Sequence, residues 1–249
     1  VVGPGSFRID DSIFIDIGKP VVFGSEGHIC IFKSDGTKVD DIDLADLAGV
    51  TIREDGTMVP KEQITDASKM TTFMDALGAN GLNRRIVHYT PLRIDGNTLI
   101  IKPHSSVLNF FTDYYVTIDA GAIEGFAGIE AGKETFRTVA PPLGTDLIVS
   151  NTGKADFSTL QGALNYVMRT SPSSATITLA SGLYEEMLFL RDCKNVTIKG
   201  VNRSASRIAY PNNEGWMNGS GGSTSVVPAL GRALGKNGGR SVFLVENCD

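Results

Sequence analysis

Apolar and polar positions follow two different rhythms along this chain. In the first half the period is two. Ile13, Ile15 and Ile17 share one side of IFIDIG, at 13–18, which fits a half-buried strand. HICIFKSDGTKVDDIDL, at 28–44, reads as a hairpin closed at Ser34-Asp35-Gly36, where Asp-Gly supplies the turn. RIDGNTLIIKP, at 93–103, holds another turn at Asp95-Gly96-Asn97. DYYVTIDAGAI, at 113–123, alternates again, and KETFRTV, at 133–139, closes the run. Short strands with frequent turn signals predict a β-sandwich over 1–139. One helix is expected inside it. ITDASKMTTFMDALG, at 64–78, offers Thr65 or Asp66 as N-cap, apolar Ala67, Met70, Phe73, Met74 and Leu77, and Gly78 as C-cap.

VAPPLGT, at 139–145, has the prolines and glycine of a linker, placed at 140–145. After it the rhythm changes. FSTLQGALNYVMRT, at 157–170, predicts a short amphipathic helix capped by Ser158 or Thr159, with Leu160, Ala163, Leu164 and Val167 in one stripe. Strands of four to six residues follow: ATITLA, MLFL, NVTIKG and RIAY. Polar corners such as Arg191-Asp192-Cys193-Lys194 separate them in place of two-residue hairpin turns. Ile177 and Ile198 are spaced as neighbours on successive coils. Short strands, polar corners and no reversal of direction predict a right-handed parallel β-helix over 146–249, each coil burying its inward side chains against the next. The helix would cover the open end of the stack, where unpaired strand groups invite aggregation. The expected class is therefore all-β.

Composition narrows the function. The 249 residues are 41% hydrophobic and 20% charged, which suits packed domains. The formal net charge of −5 argues against nucleic acid as a partner, since phosphate binding needs a basic field. No apolar run is long enough to predict a membrane span. The chain opens on VVGPGSF and closes on SVFLVENCD, a fresh strand, so a fragment of a longer chain is expected. Cys30, Cys193 and Cys248 are odd in number and widely spaced, which reads as buried free thiols; a disulfide cannot be assigned.

Three motifs in order resemble the start of the pectinesterase (pectin methylesterase) family. The first is Gly153, Asp156, Phe157, Thr159, Leu160, Gln161 and Ala163; the second Gly182, Tyr184 and Glu186; the third the apolar run Asn195 to Gly200. Asn151 stands where that family often has Asp, and Ala155 where it often has Gly; both affect a turn. The strands of 13–21, 28–46, 96–108, 113–129 and 134–138 resemble the bacterial Ig-like modules attached to secreted polysaccharide enzymes, with 64–78 as an insertion. The resemblance implies a secreted, cell-surface or periplasmic protein, monomeric, acting on methylesterified polygalacturonate and needing neither cofactor nor metal. It implies a mechanism in which one Asp attacks the ester carbonyl, a second Asp serves as acid and then base, Gln side chains stabilise the oxyanion and an Arg holds the nucleophile. Those residues would lie beyond Asp249, so no catalytic residue is assigned within the chain, and residues 1–249 alone are expected to be inactive.

Other conspicuous residues have plainer readings. Tyr184 and Glu186 are expected to brace a corner and the helix cap. Gln161 belongs to the helix motif and is not an oxyanion donor. His28, His88 and His104 look scattered, away from any carboxylate cluster. Asp40, Asp41, Asp43 and Asp46 lack a calcium-loop pattern and read as a solvated hairpin edge. GRALGKNGG, at 231–239, is one residue short of a phosphate loop. Trp216, in the loop 213–225, is the one candidate for stacking on a sugar ring. Asn195, Asn202 and Asn218 begin glycosylation triplets that matter only in a eukaryotic secretory pathway. Two other functions stay open: a lyase-like polysaccharide enzyme of the same architecture, and a non-catalytic glycan-binding surface protein.

Overall fold

The computed structural model describes residues 7–52, 58–60, 72–78, 85–210, 226–227, 232–233 and 241–249. Trp216 and Asn218 lie outside the described residues, as do all but Arg232 and Ala233 of 231–239. The strands are β1 (Ile13–Asp16), β2 (His28–Lys33), β3 (Lys38–Asp43), β4 (Val50–Ile52), β5 (Met58–Pro60), β6 (Met74–Leu77), β7 (Arg85–His88), β8 (Leu92–Asp95), β9 (Thr98–Ile101), β10 (Asp113–Ile118) and β11 (Ile129–Arg137) in the first half. The second half holds β12 (Asp146–Val149), helix α1 (Leu160–Thr170), β13 (Ala175–Leu179), β14 (Gly182–Glu185), β15 (Leu188–Arg191), β16 (Val196–Gly200), β17 (Ser206–Ala209), β18 (Val226–Val227), β19 (Arg232–Ala233) and β20 (Phe243–Glu246). The chain is all-β in character and divides into two compact units at Ala140 and Pro141. The second unit also takes in the described parts of 76–87.

The first unit carries two antiparallel sheets, β1-β9-β8 and β11-β10-β2-β3, which share one apolar core. The period of two does its expected work. Ile13 and Ile15 are buried while Phe14 and Asp16 are exposed. Tyr114, Val116 and Ile118 face inward from β10, and Ile29 and Ile31 from β2. Each fully buried Ile or Leu here contributes about 1.5–3 kcal/mol relative to exposure. Both predicted turns form. Asp95 pairs with Thr98 across Gly96-Asn97, with Gly96 at φ 57°, and β2 pairs with β3 around Asp35-Gly36, with Gly36 at φ 87°. A register shift between Ile31 and Phe32 lets Ile31 face Asp40 and Phe32 face Lys38, skipping Val39.

The helix predicted over 64–78 is not seen where the structure describes that stretch. Residues 64–71 lie outside the described residues; Thr72 and Phe73 form a turn, and Met74–Leu77 is strand β6, paired with β7. All four residues of β6 are buried. A short strand buried on both sides, Asp75 included, shows no useful periodicity, so the helical spacing of Phe73, Met74 and Leu77 is coincidental.

In the second unit all three main ladders are parallel. β12, β13 and β16 form one, β14 and β17 the second, β15 and β20 the third. The consecutive strands β13, β14 and β15 are thus each matched by a later strand running the same way. Ile177 lies opposite Ile198, as its spacing predicted; Tyr184 lies opposite Ile208, and Phe189 opposite Leu244. The polar corners turn without glycine because Asp192, Asn195 and Asn247 adopt left-handed backbone, at φ 54°, 48° and 50°. Asp and Asn tolerate that region better than other side chains. Helix α1 buries Leu160, Ala163, Leu164 and Val167 and packs on β12, β13 and β15. Thr159 is its N-cap, accepting from Gly162 N at 2.9 Å, and Ser171 ends it at φ 45°.

Candidate functional site

Two of the motif residues of the second unit, Glu186 and Gln161, meet at the start of α1. Both oxygens of the buried Glu186 carboxylate accept from the helix's first turn, Oε1 from Leu160 N and Oε2 from Gln161 N, each at 2.8 Å. A carboxylate is well placed there, because those donors lack an intrahelical partner and the dipole favours negative charge. Gln161 is buried as well: Oε1 accepts from Phe189 N at 2.7 Å, while Nε2 donates to Asn165 Oδ1 at 2.7 Å and Phe189 O at 3.1 Å. The Tyr184 hydroxyl donates toward Val149 O at 3.1 Å and Ala180 O at 3.0 Å. Gly182 backs onto Asn151, where a Cβ would meet Oδ1 at 2.7 Å; the Asn151 amide itself donates to Leu183 O at 2.8 Å. The bracing role read from the sequence for Tyr184 and Glu186 is therefore visible directly. With its amide committed on both sides, Gln161 has no geometry for stabilising an oxyanion.

Arg85 adds a participant with no signal in the sequence. Its guanidinium is fully buried and donates to the backbone carbonyls of Leu188 at 2.8 Å, Ser241 at 2.5 Å and Val242 at 3.4 Å. Burial lowers its pKa to about 10, which leaves it charged at neutral pH.

The first unit corrects the reading of its histidines and acids. Asp40 does not lie on a solvated edge. It shares the inward side of β3 with Ile42 and is buried. Its carboxylate accepts from His104 Nδ1 at 2.7 Å and from His104 N at 2.9 Å, while Nε2 faces Thr72 O at 2.8 Å. Two acceptors on the two ring nitrogens demand an imidazolium. Burial opposes that charge, but the Asp40 hydrogen bond and the charges of Asp40 and Asp75 outweigh it, raising the pKa to about 9. The neighbouring Ser105 hydroxyl donates to Asp75 Oδ2 at 2.6 Å, so His104 serves it neither as base nor as partner in a nucleophilic pair. Asp43 caps the following 3-10 turn through Ala45 N at 2.9 Å, and Asp46 accepts from Thr72 N at 2.8 Å.

On the outward side of the same sheet, His28, Cys30 and Asp41 meet. His28 Nδ1 lies 2.7 Å from Asp41 Oδ1, and the Cys30 thiol donates to that oxygen at 3.4 Å. Lys38 Nζ holds the other oxygen, Oδ2, at 2.5 Å. Burial, joined by Asp41, pushes the Cys30 thiol up to about 12. The Asp41 hydrogen bond raises the pKa of His28. Burial works against the Asp41 charge, yet bonds from Lys38, His28 and Cys30 hold its carboxyl below the usual range. The available signal was His28-x-Cys30 on a strand, facing Asp41 across a hairpin; reading the histidines singly missed it.

An open depression of about 580 Å³ lies beside β10 and β11, lined by Ser34, Asp113, Tyr115, Thr135 and Arg137 among others. Arg137 is committed there, to Asp113 at 2.6 Å and over the Phe111 ring at 4.4 Å. No helix among the described residues is long and apolar enough to cross a membrane. Comparisons with protein-family models, with curated proteins and with solved structures gave no match.

Proposed function

We propose that the chain is the front part of a secreted polysaccharide esterase of the pectinesterase type: an Ig-like sandwich at 1–139 followed by the first coils of a right-handed parallel β-helix. The observation that carries this reading is the meeting of two motifs well separated in the sequence. Glu186 of Gly-x-Tyr-x-Glu caps the helix that bears Thr159-Leu160-Gln161, so the resemblance rests on a working assembly and not on letters alone. The parallel register of Ile177 on Ile198 and Phe189 on Leu244 supports successive coils of one stack. The substrate on this reading is methylesterified polygalacturonate. The attacking and proton-shuttling aspartates belong to later coils, and Trp216 remains the candidate sugar contact inside the chain.

The test is to read the coding frame past Asp249 and assay the whole product on methylesterified pectin. Methanol release without chain cleavage supports the esterase. Unsaturated uronate ends, formed by β-elimination, would replace it with the lyase reading. Pectin binding with neither reaction would leave a glycan-binding protein.

A further inference from the structure

We propose that His28, Cys30 and Asp41 form a binding site for one zinc-type divalent cation on the outward face of the four-stranded sheet. This inference is independent of the esterase reading. The three donor atoms, an imidazole nitrogen, a sulfur and a carboxylate oxygen, all lie within 4.8 Å of one another, the one such group found among the described residues. Their convergence follows from the sheet. His28 and Cys30 stand two apart on β2 and so share a face, and the register sets Asp41 of β3 directly opposite Cys30.

The surroundings favour a cation. Asp43 lies opposite His28 in the register, and Asp119 Oδ2 accepts from His28 N at 3.0 Å. Three carboxylates therefore surround the imidazole, against the ammonium of Lys38. The Lys38 contact engages Asp41 Oδ2 and leaves Oδ1 turned toward His28 and Cys30. Such outer contacts orient a ligand. Cys30 is 6% exposed although it points to the outer side of the sheet, so the sulfur is shielded from competing water.

The donor set selects the metal. Calcium and magnesium want oxygen ligands throughout, whereas nitrogen, sulfur and oxygen together suit zinc. Tetrahedral zinc with bonds of about 2.0–2.3 Å holds its ligand atoms roughly 3.2–3.8 Å apart. The Cys30–Asp41 distance of 3.4 Å already fits, and the His28–Asp41 distance of 2.7 Å must open by about half an ångström. The His28 side chain, 44% exposed, has room to swing outward. A fourth position falls to water or to Asp43. Binding is a proton exchange without redox change: the thiol proton leaves to solvent as the Zn–S bond forms, the Nδ1 proton of His28 leaves to solvent or moves to Nε2 as the Zn–N bond forms, and the two hydrogen bonds to Asp41 Oδ1 give way to a Zn–O bond.

The probe is Co(II), added to the chelator-treated full chain, followed by Zn(II). The expected result is one equivalent of Co(II) with a sulfur-to-cobalt charge-transfer band in the near ultraviolet, bleached by one equivalent of Zn(II). Cys30→Ser should abolish the band; Cys193→Ser and Cys248→Ser should leave it. His28→Ala, at an exposed position, should keep the fold by circular dichroism while weakening Co(II) affinity at least about tenfold, the scale on which even outer contacts matter. A chain that gives no band, a band that survives Cys30→Ser, or an affinity unchanged by His28→Ala would each overturn the site.

Discussion

Asn247 stands over Asp192. Both hold left-handed backbone, at φ 50° and 54°, and the Asn247 amide donates to Asp192 Oδ1 at 2.5 Å. The pair continues the parallel register of Arg191 on Glu246, and the chain keeps hydrogen bonding past it, Asp249 N to Cys193 O at 3.2 Å. The same corner is therefore built twice, from LFLRDC and from FLVENC. Asn247→Ala should cost about 2 kcal/mol, roughly half because Ala tolerates left-handed backbone less well than Asn and half from the lost bond. Asn247→Gly keeps the backbone and should cost about 1 kcal/mol. Urea unfolding of the two variants checks the order; equal losses would mean the conformation is not what the side chain supports.

Glu186→Ala should be among the most damaging substitutions in the second unit. It leaves two buried N–H groups at the start of α1 without their carboxylate, at a cost of about 3 kcal/mol. Glu186→Gln retains one acceptor oxygen and should cost about half as much. The measurement is the urea midpoint followed by helical circular dichroism. A loss under about 0.5 kcal/mol for the Ala variant would show that water replaces the cap.

The stability of the first unit should fall as pH rises. His104 titrates at about 9 in the folded state and near its ordinary 6.5 when unfolded, so the native state holds the extra proton between those values. Its contribution is complete below about pH 6.5 and is lost as pH climbs through about 9, at most about 3 kcal/mol. Urea midpoints from pH 6 to pH 10 should decline in the wild type, and the decline should be largely absent in Asp40→Asn or His104→Gln. A flat wild-type profile would contradict the ion pair.

The three thiols should react in a fixed order. Burial raises Cys30 to about 12 and Cys193 to about 11, whereas Cys248 is half-buried. Because the thiolate is the nucleophile, a maleimide or aromatic disulfide should modify Cys248 first and the others only on unfolding. Peptide mapping of the labelled native chain reads this directly; early labelling of Cys193 would show that the last corner opens in solution.

Ile177 tests the stack itself. It is fully buried, while its ladder neighbour Ile198 is half-buried. Ile177→Ala should cost about 2–5 kcal/mol, and Ile198→Ala distinctly less. Comparable losses, read from the same urea curves, would mean that Ile198 is covered in solution.

Local chemistry made much of the fold legible in advance. Ile13, Ile15 and Ile17 announced a strand face, Gly36 and Gly96 announced their turns, and Ser158-Thr159 announced the start of α1, where Thr159 proves to be the cap. Ile177 and Ile198 could be aligned because a parallel ladder repeats its inward residues. β6 was misread because four buried residues carry no period. Asp40 is not legible as solvated once β3 is read by alternation: its place two before Ile42 puts it on the inward side, and taking the aspartates as one charged edge hides this. The His28–Cys30–Asp41 cluster needed the pairing of Cys30 with Asp41 across the hairpin. Arg85 could not be foreseen, since its acceptors are backbone carbonyls, and every residue has one.

Arg85 also orders events in time. It leaves the ribosome long before Leu188, 103 residues later, and longer still before Ser241 and Val242, whose carbonyls it holds. Closing a loop of that length costs only slowly growing entropy, about 0.6 kcal/mol per doubling, but it delays the contact until the later strands exist. The second unit is discontinuous in the chain, and a protein begun at Pro141 would lack the guanidinium that gathers the backbone oxygens of β15 and of the approach to β20. Synthesis therefore makes the clasp first and the strap last, and docking of the strap is a late step of folding.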